Sequence, residues 1–375
     1  MIKEIQIENF KSIQSLNLEL GRLNVFIGAN GSGKSNILEA ITFGGAATDN
    51  KLGKEFFKNR GIRYAEPYRF FSGFEKGNSK KSINIGFKDQ KNLEEQFKIH
   101  HTSKWEIGVE KDDLKILTNN GIQNSSSFQE EAIVYQTLRD VAKIKSDQIE
   151  RFKNELIHFL IYAPENAYLR NFEEEGAIEP LGVQGEGLFN LVVKIYKTQP
   201  ESFAKINHYL RLLFDWFDGF DIPKDLMFTE RRINIKDYNL EEGLQYFDQR
   251  SANEGFLYLL FYLTLFISDE TPKFFAIDNI DTAINPKLCW ELIKILSKLA
   301  KEHDKQVILT THNSAVLDGI NLNDDDQRLF VISRNGNGQT KALRIFKEET
   351  PEGQRRIRMS EQFLRGYIGG LPDNF

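Results

Sequence analysis

Residues 25–42, VFIGANGSGKSNILEAIT, contain the pattern G-x-x-x-x-G-K-S between Gly28 and Ser35. An apolar run of strand type, Val25 to Ile27, precedes the pattern, and apolar residues at helical spacing follow it. Glycines at these positions let the backbone wrap closely around phosphate oxygens, and the N–H groups at a helix N-terminus attract anions. The stretch therefore predicts a strand, a phosphate-binding loop and a helix in succession, which together form a P-loop.

The residues of this loop have separate expected roles. We expect the amine of Lys34 to reach the β- and γ-phosphates of a nucleotide and the hydroxyl of Ser35 to complete the shell of a Mg²⁺ ion. ATP and Mg²⁺ are therefore the expected cofactors. The loop residues predicted to bind them are Asn30, Gly31, Ser32, Gly33, Lys34 and Ser35. A glycine-rich turn that matches by chance is the alternative, and the flanking strand and helix patterns argue against it.

The composition is ordinary for a globular protein, and the 375 residues allow a large core with two or three subdomains. The lone cysteine, Cys289, excludes an internal disulfide framework and a cysteine zinc cluster. No apolar run has the length of a membrane span, and the first residues do not resemble a signal peptide. We therefore expect a cytoplasmic protein without a membrane partner. With a net charge of −5, nucleic-acid binding would require a local basic patch.

The segment before the P-loop carries a first resemblance to a known family. Two stretches of alternating apolar and polar residues predict strands, and Asn9-Phe10-Lys11-Ser12 joins them. A strand, the sequence NFKSI, a second strand and then a P-loop resembles the opening of ABC-type ATPases of the RecF, SMC and OLD (overcoming lysogenization defect) groups. The resemblance implies that Lys11 and Ser12 lie close to the bound nucleotide.

A basic stretch follows the first predicted helix. Between Lys51 and Lys81 there are nine Lys or Arg residues against three Glu. Aromatic residues are interleaved in the same stretch, among them Phe56, Phe57, Tyr64, Tyr68, Phe70 and Phe71. Basic and aromatic side chains together can bind nucleic acid, so DNA is a possible partner. The simpler interpretation is a solvated charged surface over aromatic residues of the core.

The middle of the chain changes its period twice. Residues 83–122 alternate as an antiparallel meander does, whereas residues 128–163 and 186–217 have helical spacing. Neither helical block sustains heptads, so we expect a short helical insertion and no long coiled coil. By resemblance, Gln136 is a candidate sensor of the γ-phosphate, although a polar helix surface explains it more simply.

The segment Ser251-Ala252-Asn253-Glu254-Gly255 leads directly into an apolar helix pattern. It resembles the signature motif of the ABC-type family, in which a small polar residue, an acidic residue and a glycine open such a helix. Many relatives have Ser where this chain has Asn253, and Ser251 lies two residues earlier. A polar residue and a glycine at a helix N-terminus can bind phosphate. Ser251, Asn253 and Gly255 are therefore candidate nucleotide contacts.

Two further apolar strand patterns end in polar residues. The first ends at Asp278, the position of the acid that holds Mg²⁺ in P-loop enzymes. Relatives commonly have a water-activating Glu directly after this acid, and here the residue is Asn279. This difference puts hydrolysis in doubt, and Asp281 is the nearest other carboxylate. The second ends at His312, which matches the switch histidine of the family. Asp278, Asn279, Asp281 and His312 are the candidate catalytic residues.

The order of these motifs indicates one ABC-type ATPase head of α/β class, with an antiparallel β-lobe and a short helical insertion. Residues 1–125 are expected to form an N-terminal ATPase half with the P-loop and the β-lobe, and residues 126–225 the insertion. Residues 226–375 would form the C-terminal half with the signature, the Walker B acid and the switch histidine. Such heads bind ATP between two subunits, so the resemblance implies a homodimer or a higher oligomer.

The resemblance leaves several functions open. The first is an ATPase, slow because of Asn279, that controls a separate DNA-acting effector such as a nuclease or toxin in prokaryotic antiphage defence. Because few residues follow His312, we expect no appended nuclease domain of the kind that OLD-type proteins carry. The alternatives are a scaffold that binds ATP and scarcely hydrolyses it, and a DNA-repair ATPase similar to RecF.

Overall fold

The described part of this computed structural model contains three β-sheets and the helices that pack on them. It covers residues 1–49, 52–63, 65–74, 82–101, 107–111, 146–171, 180–223, 232–241, 243–347 and 357–371. The strands are β1 (Ile2–Phe10), β2 (Ile13–Glu19), β3 (Leu23–Ile27), β4 (Ser82–Asp89), β5 (Glu94–His101), β6 (Ile107–Lys111), β7 (Ile161–Tyr162), β8 (Phe217–Asp221), β9 (Asn234–Asp237), β10 (Tyr246–Asp248), β11 (Phe274–Ile277), β12 (Gln306–Thr311), β13 (Gln327–Arg334) and β14 (Thr340–Ile345). The helices are α1 (Lys34–Thr48), α2 (Lys54–Lys58), α3 (146–157), α4 (Asn166–Arg170), α5 (Leu188–Thr198), α6 (Pro200–Leu213), α7 (Glu254–Ile267), α8 (Pro286–Glu302) and α9 (Met359–Leu364), with 3-10 helices at Pro67–Phe70 and Ser314–Gly319.

The central sheet has the strand order β14-β13-β3-β12-β11-β7. All neighbouring strands run parallel except β14, which is antiparallel to β13. Side chains of β3 alternate between two hydrophobic clusters, since Val25 and Ile27 join one cluster and Phe26 joins the other. The sheet is therefore covered on both faces, as parallel sheets usually are, and its strands are almost purely apolar.

An antiparallel sheet, the β-lobe, has the order β2-β1-β4-β5-β6. It packs on α1, and two glycines of that helix permit the close approach. A Cβ atom at Gly44 would lie 2.6 Å from the Phe87 ring, and one at Gly45 would lie 2.2 Å from the Leu156 carbonyl oxygen. The helix that follows the P-loop is thus enclosed by the β-lobe and by α3.

The predicted meander is confirmed for β4, β5 and β6, which pair antiparallel in sequence order. Residues 112–122, the last part of that prediction, and Gln136 lie outside the described residues. The helix predicted over 128–163 is wrong at its end, because α3 stops at residue 157. Ile161 and Tyr162 instead form β7, which pairs in parallel with β11. A strand of two residues is too short to show a period of its own.

The remaining helices follow the sequence closely. Helix α7 is the apolar helix predicted after the signature segment, and its residues 256–267 are all buried. Helices α5 and α6 pack in the same hydrophobic cluster as α7 and α8. In the part of the chain that the structure describes, the longest helix is α8 with 17 residues, so no long coiled coil is present there. No described helix combines the length and the apolar character needed to span a membrane.

Buried Lys305 closes the turn between α7 and β11. Its Nζ donates to the carbonyl oxygens of Ser268 at 2.7 Å and Thr271 at 2.9 Å, and to the Thr271 hydroxyl at 2.8 Å. We expect Lys305→Met to lower the free energy of unfolding by about 1–3 kcal/mol, because buried acceptors lose their donor. Urea denaturation measures the loss. The control is Lys301→Met at an exposed position of α8, and equal losses in both variants would contradict this account.

Candidate functional site

The P-loop connects β3 to α1 at the carboxyl edge of the central sheet. Gly31 and Gly33 have φ angles of 75° and 110°, which favour glycine. A Cβ atom at Gly33 would lie 2.1 Å from the Thr340 hydroxyl, and one at Gly28 would lie 2.0 Å from the Ile332 carbonyl oxygen. A Cβ at Gly31 would meet no atom within 4 Å. The loop is therefore packed tightly on its inner side and open at Gly31.

Lys34 lies folded against this loop. Its Nζ donates to the carbonyl oxygens of Gly28 at 2.7 Å and Ala29 at 3.1 Å. Burial lowers the pKa of the Lys34 amine to about 8, and the nearby carboxylates of Asp278 and Asp281 oppose this shift. A buried ammonium whose contacts are neutral carbonyls gains from an added negative charge, so the position suits a phosphate group.

The other loop residues differ in exposure. Asn30 and Gly31 are exposed on the open side of the loop, whereas Ser32 is buried. The Ser32 carbonyl oxygen accepts from the Thr340 hydroxyl at 3.1 Å. The buried Ser32 hydroxyl has no hydrogen-bond partner among the described residues. An unpaired hydroxyl beside an open loop fits a site that is completed by a polar ligand.

Ser35 and Asp278 approach each other across the sheet edge. The Ser35 hydroxyl donates to Asp278 Oδ2 at 3.1 Å. Asp278 Oδ1 accepts a short hydrogen bond from the Thr310 hydroxyl, which orients the carboxylate. Among the described residues, no three acidic, His or Cys side chains form a metal cluster. A hydroxyl and one carboxylate suit Mg²⁺, which takes many of its oxygen ligands from substrate phosphates and water.

Asn279 and Asp281 have different surroundings. Asn279 has a φ angle of 56°, its side chain is exposed, and its backbone N–H donates to the Thr310 hydroxyl at 2.9 Å. Asp281 Oδ1 accepts from the Thr311 hydroxyl at 2.6 Å. The same Thr311 oxygen accepts from the backbone N–H of Asn313 at 2.9 Å. Asp281 is therefore tied to the end of β12, whereas the Asn279 side chain faces solvent.

Two threonines that were not expected from the sequence hold these acids. Thr310 and Thr311 are the last residues of the buried strand β12. The signal that could have identified them is a pair of hydroxyl residues at the carboxyl end of the strand that neighbours β11. Their hydroxyls orient Asp278 and Asp281 from the neighbouring strand.

His312 follows these threonines and lies beside Lys34. Its Nδ1 atom is 3.4 Å from Lys34 Nζ. Partial burial, followed by the positive charge of Lys34, lowers the pKa of the imidazole below its usual value. The lowered pKa favours the neutral imidazole, which can exchange a hydrogen bond with a phosphate or with the lysine.

Lys11 and Ser12 brace the P-loop from the β-lobe. The Lys11 amine makes a short ion pair with buried Glu39 of α1, and Arg63 Nε contacts the same carboxylate at 2.7 Å. The Ser12 hydroxyl lies 2.7 Å from the Thr340 hydroxyl. Glu39 and Thr340 were not expected from the sequence, because their partners are remote along the chain. Direct contact of Lys11 and Ser12 with a nucleotide stays a prediction.

The signature segment does not join this cluster within one chain. Asn253 caps α7, and its side-chain oxygen accepts from the Phe256 N–H at 2.7 Å. Ser251 and Asn253 are exposed. A Cβ atom at Gly255 would lie 3.1 Å from the Ala283 carbonyl oxygen, so the start of α7 adjoins the loop that follows Asp278. Among the described contacts, none links these three signature residues to the P-loop.

Three aromatic rings of the basic stretch fit the simpler interpretation, whereas Tyr68 is exposed. Phe57 and Phe70 are buried and pack with Phe43 of α1 at centroid distances of 5.2 Å and 5.1 Å. The Arg60 guanidinium lies 3.7 Å from the centroid of the Phe56 ring. Phe57 and Phe70 are therefore core residues, and Phe56 packs against an arginine. Tyr64 lies outside the described residues.

Comparison with known proteins adds family relationships to this geometry. Residues 23–318 match the family described as "AAA domain, putative AbiEii toxin, Type IV TA system". The DNA replication and repair protein RecF of Actinobacillus pleuropneumoniae serotype 5b (strain L20) is 36% identical over 86 residues, which are 22% of this chain and 23% of that protein. RecF of Glaesserella parasuis serovar 5 (strain SH0165) is 32% identical over 108 residues, 28% of each chain. The chain thus matches about a quarter of the length of these relatives.

Solved structures resemble nearly the whole chain. An SMC head bound to the C-terminal winged-helix domain of ScpA covers 92% of this chain and 98% of its own, with 14% identity and a TM-score of 0.58. An SMC head with an extended coiled coil, bound to the C-terminal domain of ScpA derived from Pyrococcus furiosus, covers 92% and 96%, with 13% identity and a TM-score of 0.52. At these identities the likeness concerns the fold, which is that of an ABC-type head.

The position of Lys34 yields a prediction about binding. We expect Lys34→Ala to abolish ATP binding with little change in melting temperature, since the amine contacts the loop and no hydrophobic core. Calorimetric titration with an ATP analogue and Mg²⁺ measures the binding. Unchanged affinity in this variant would contradict the assignment of the loop.

The pH dependence provides an independent check of the same residue. With a pKa of about 8, Lys34 is protonated below that pH and loses its charge above it. Phosphate binds the protonated form, so affinity should be level below pH 8 and fall above it, by up to about tenfold per pH unit. Lys34→Arg, which keeps its charge, should lack this fall. An alkaline fall that persists in Lys34→Arg would assign the titration to another group.

Proposed function

This chain belongs to the AbiEii-type family of AAA domains and is an ABC-type ATPase head of the RecF and SMC group, and we propose that it controls a separate effector through ATP-dependent dimerisation. The effector we envisage is a DNA-acting nuclease or toxin of a prokaryotic antiphage defence system. The observation that carries the proposal is the cluster of Lys34, Ser35, Asp278 and His312 at one sheet edge.

ATP would bind along the P-loop. The N–H groups at the start of α1 are free of intrahelical partners and suit phosphate oxygens. Lys34 would exchange its carbonyl contacts for the β- and γ-phosphates, and His312 would hydrogen-bond the γ-phosphate. Ser35 and Asp278 would hold Mg²⁺, which neutralises charge on the transferred phosphoryl group.

A second copy would complete the site. Ser251 and Asn253 are exposed at the N-terminus of α7, and no described contact links them to the P-loop of their own chain. A helix N-terminus favours a phosphate group supplied from outside. We therefore propose that the signature of one chain faces the P-loop of the other, so that ATP is sandwiched between two heads.

The assignment to defence and to an effector rests on relatives. The description of the family includes a toxin and a type IV toxin–antitoxin system. The two similar SMC heads are each bound to a domain of ScpA, a separate protein. A repair function similar to RecF has less support, because the identity covers about a quarter of those proteins.

Slow hydrolysis follows from the residues after Asp278. An amide cannot accept a proton from water, so Asn279 can only orient that water by a hydrogen bond. The Asp281 carboxylate is engaged by Thr311, and moving it to the water would break that bond. Loss of a positioned base typically costs about 10²- to 10⁴-fold in rate. These features also favour the second candidate function, a scaffold that holds ATP and scarcely turns it over.

Dimerisation is tested at Gly255. We expect Mg²⁺ and ATP to raise the mass of the wild type in light scattering, because bound nucleotide links two heads. Gly255→Arg should remain monomeric, because a large side chain at the N-terminus of α7 leaves no room there for the nucleotide of a second head. It should bind ATP with unchanged affinity, since no described contact links Gly255 to the P-loop of its own chain.

A suitable control for this variant is Gly53→Arg. It adds the same charge at a position where a Cβ atom meets nothing within 4 Å. Normal ATP-driven association of Gly255→Arg would mean that the signature lies elsewhere. Failure of the wild type to associate would remove the sandwich itself.

Hydrolysis is tested at Asn279 and Asp281. We expect wild-type turnover well below about 10 per second, and we expect Asn279→Glu to raise it about 10-fold or more by restoring a base. Asp281→Asn, which preserves shape, should change turnover little. Phosphate release is measured with and without a copurified partner, and Lys34→Ala serves as the blank.

The opposite pattern would overturn the slow-switch proposal. If Asp281→Asn abolishes turnover and Asn279→Glu has no effect, then Asp281 is the base and Thr311 merely positions it. Copurification from the native cell, followed by identification of bound proteins, tests for the effector.

A further inference from the structure

Residues 357–371, which we name the strap, connect two loops of the nucleotide site. At one end, Ser360 binds both oxygens of Asp318, with its backbone N–H donating at 3.0 Å and its hydroxyl at 2.7 Å. Asp318 belongs to the 3-10 helix Ser314–Gly319, which begins two residues after His312. Phe363, in the middle of the strap, is buried in the main hydrophobic cluster. The strap is thus anchored beside the loop that carries the switch histidine.

The other end of the strap lies against the P-loop. The Gly370 carbonyl oxygen accepts from the backbone N–H of Ala29 at 3.0 Å. Gly370 has a φ angle of 86°. A Cβ atom there would lie 2.5 Å from Val331 and 3.8 Å from the Cα atom of Gly28. Both the backbone angle and the close packing require glycine at this position.

These contacts place the strap one residue away from Lys34, which itself lies beside His312. Ala29 donates its N–H to Gly370 and accepts from Lys34 through its carbonyl oxygen at 3.1 Å. Lys34 Nζ in turn lies 3.4 Å from His312 Nδ1. The strap therefore contacts the P-loop at Ala29 and the segment after His312 at Asp318. Lys34 and His312 bring the same two loops together within the site.

We propose that the strap is a positioning element of the nucleotide site, and that Asp318, Ser360 and Gly370 are its positioning residues. Docked, it holds the first turn of the P-loop and the switch loop at the separation that lets Lys34 and His312 act on one phosphate. The proposal rests on nucleotide binding at this loop. No residue of the strap needs to touch the nucleotide for this effect, since it acts through Ala29 and Asp318.

The coupling must operate in both directions. If a docked strap strengthens nucleotide binding by some factor, bound nucleotide strengthens strap docking by the same factor. The outer side chains Leu364 and Tyr367 are 66% and 64% exposed. Among the described residues, Phe363 is the one buried apolar side chain of the strap, and partly buried Met359 and Ile368 pack on the same cluster. A segment held by few buried contacts can undock without global unfolding. Binding of nucleotide at the P-loop would therefore change how firmly the strap is docked on the surface of the head.

Glycine variants test the strap with a matched control. Gly370→Ala places a methyl group against Val331, whereas Gly369→Ala faces the same kind of backbone strain, with φ of 74°, and meets no atom within 4 Å. We expect Gly370→Ala to weaken binding of Mg²⁺ and AMP-PNP by about fivefold or more, and Gly369→Ala to weaken it much less. In the protein without nucleotide, hydrogen exchange of the peptide containing Ala29 should be faster only in Gly370→Ala.

A second pair of variants tests the other anchor. Ser360→Ala should raise KM for ATP more than it changes kcat, because it alters positioning and leaves the reacting groups in place. Ser360→Thr retains the hydroxyl and should restore KM. AMP-PNP should also slow hydrogen exchange across residues 357–371 in the wild type.

The outcomes separate this inference from the function on which it rests. If the wild type binds AMP-PNP and Gly370→Ala binds it as tightly as Gly369→Ala does, the strap has no positioning role and the nucleotide site stands. If the wild type binds no AMP-PNP, the proposed function fails, and the inference fails with it. Equal melting temperatures for Gly370→Ala and Gly369→Ala, with unequal affinities, would support positioning over a loss of stability.

Discussion

The parallel register of β3, β12 and β11 is the constraint on which the rest of the structure depends. Ile277 pairs with Leu309, and Leu309 pairs with Val25, so the three strands end within two residues of one another. Residues that directly follow parallel strands meet at one edge of the sheet. The P-loop, Asp278 and His312 are neighbours for this reason, although Ser35 and Asp278 are 243 residues apart along the chain. Covering both faces of the sheet with apolar clusters keeps this edge fixed and excludes water from beneath it.

Hydroxyl groups at that edge decide what each carboxylate can do. Thr310 turns Asp278 toward Ser35, and Thr311 holds Asp281 against β12. Asp278 is thereby oriented toward the position that we propose for Mg²⁺. Asp281 instead links its own loop to the end of β12. Asn279 is an amide, and Asp281 is already bound to Thr311. These two features are the basis on which we propose slow hydrolysis.

The sequence alone determined the elements whose pattern is local. The P-loop was predicted because its glycines and Lys34 must occur at fixed spacing between a strand and a helix. The buried helix α7 and the meander β4–β6 were predicted because burial on one side, or all round, imposes a period that a short window reveals. The order of the motifs indicated the ABC-type head, which the fold and the family match confirm. Asp278 and His312 were predicted as site residues because each follows an apolar strand at the position of a motif in the family that the chain resembles.

Only the tertiary structure decided which distant residues meet. Strand β7 has two residues, so its place in the sheet depends on pairing with β11 and leaves no periodic signal. Glu39 beside Lys11, Thr340 beneath Gly33 and Gly370 against Ala29 are contacts between remote segments. A local pattern reports how much of a side chain is buried, but it does not report its partner. The physical reason is that hydrogen bonds and close packing between remote segments arise only after the chain has folded.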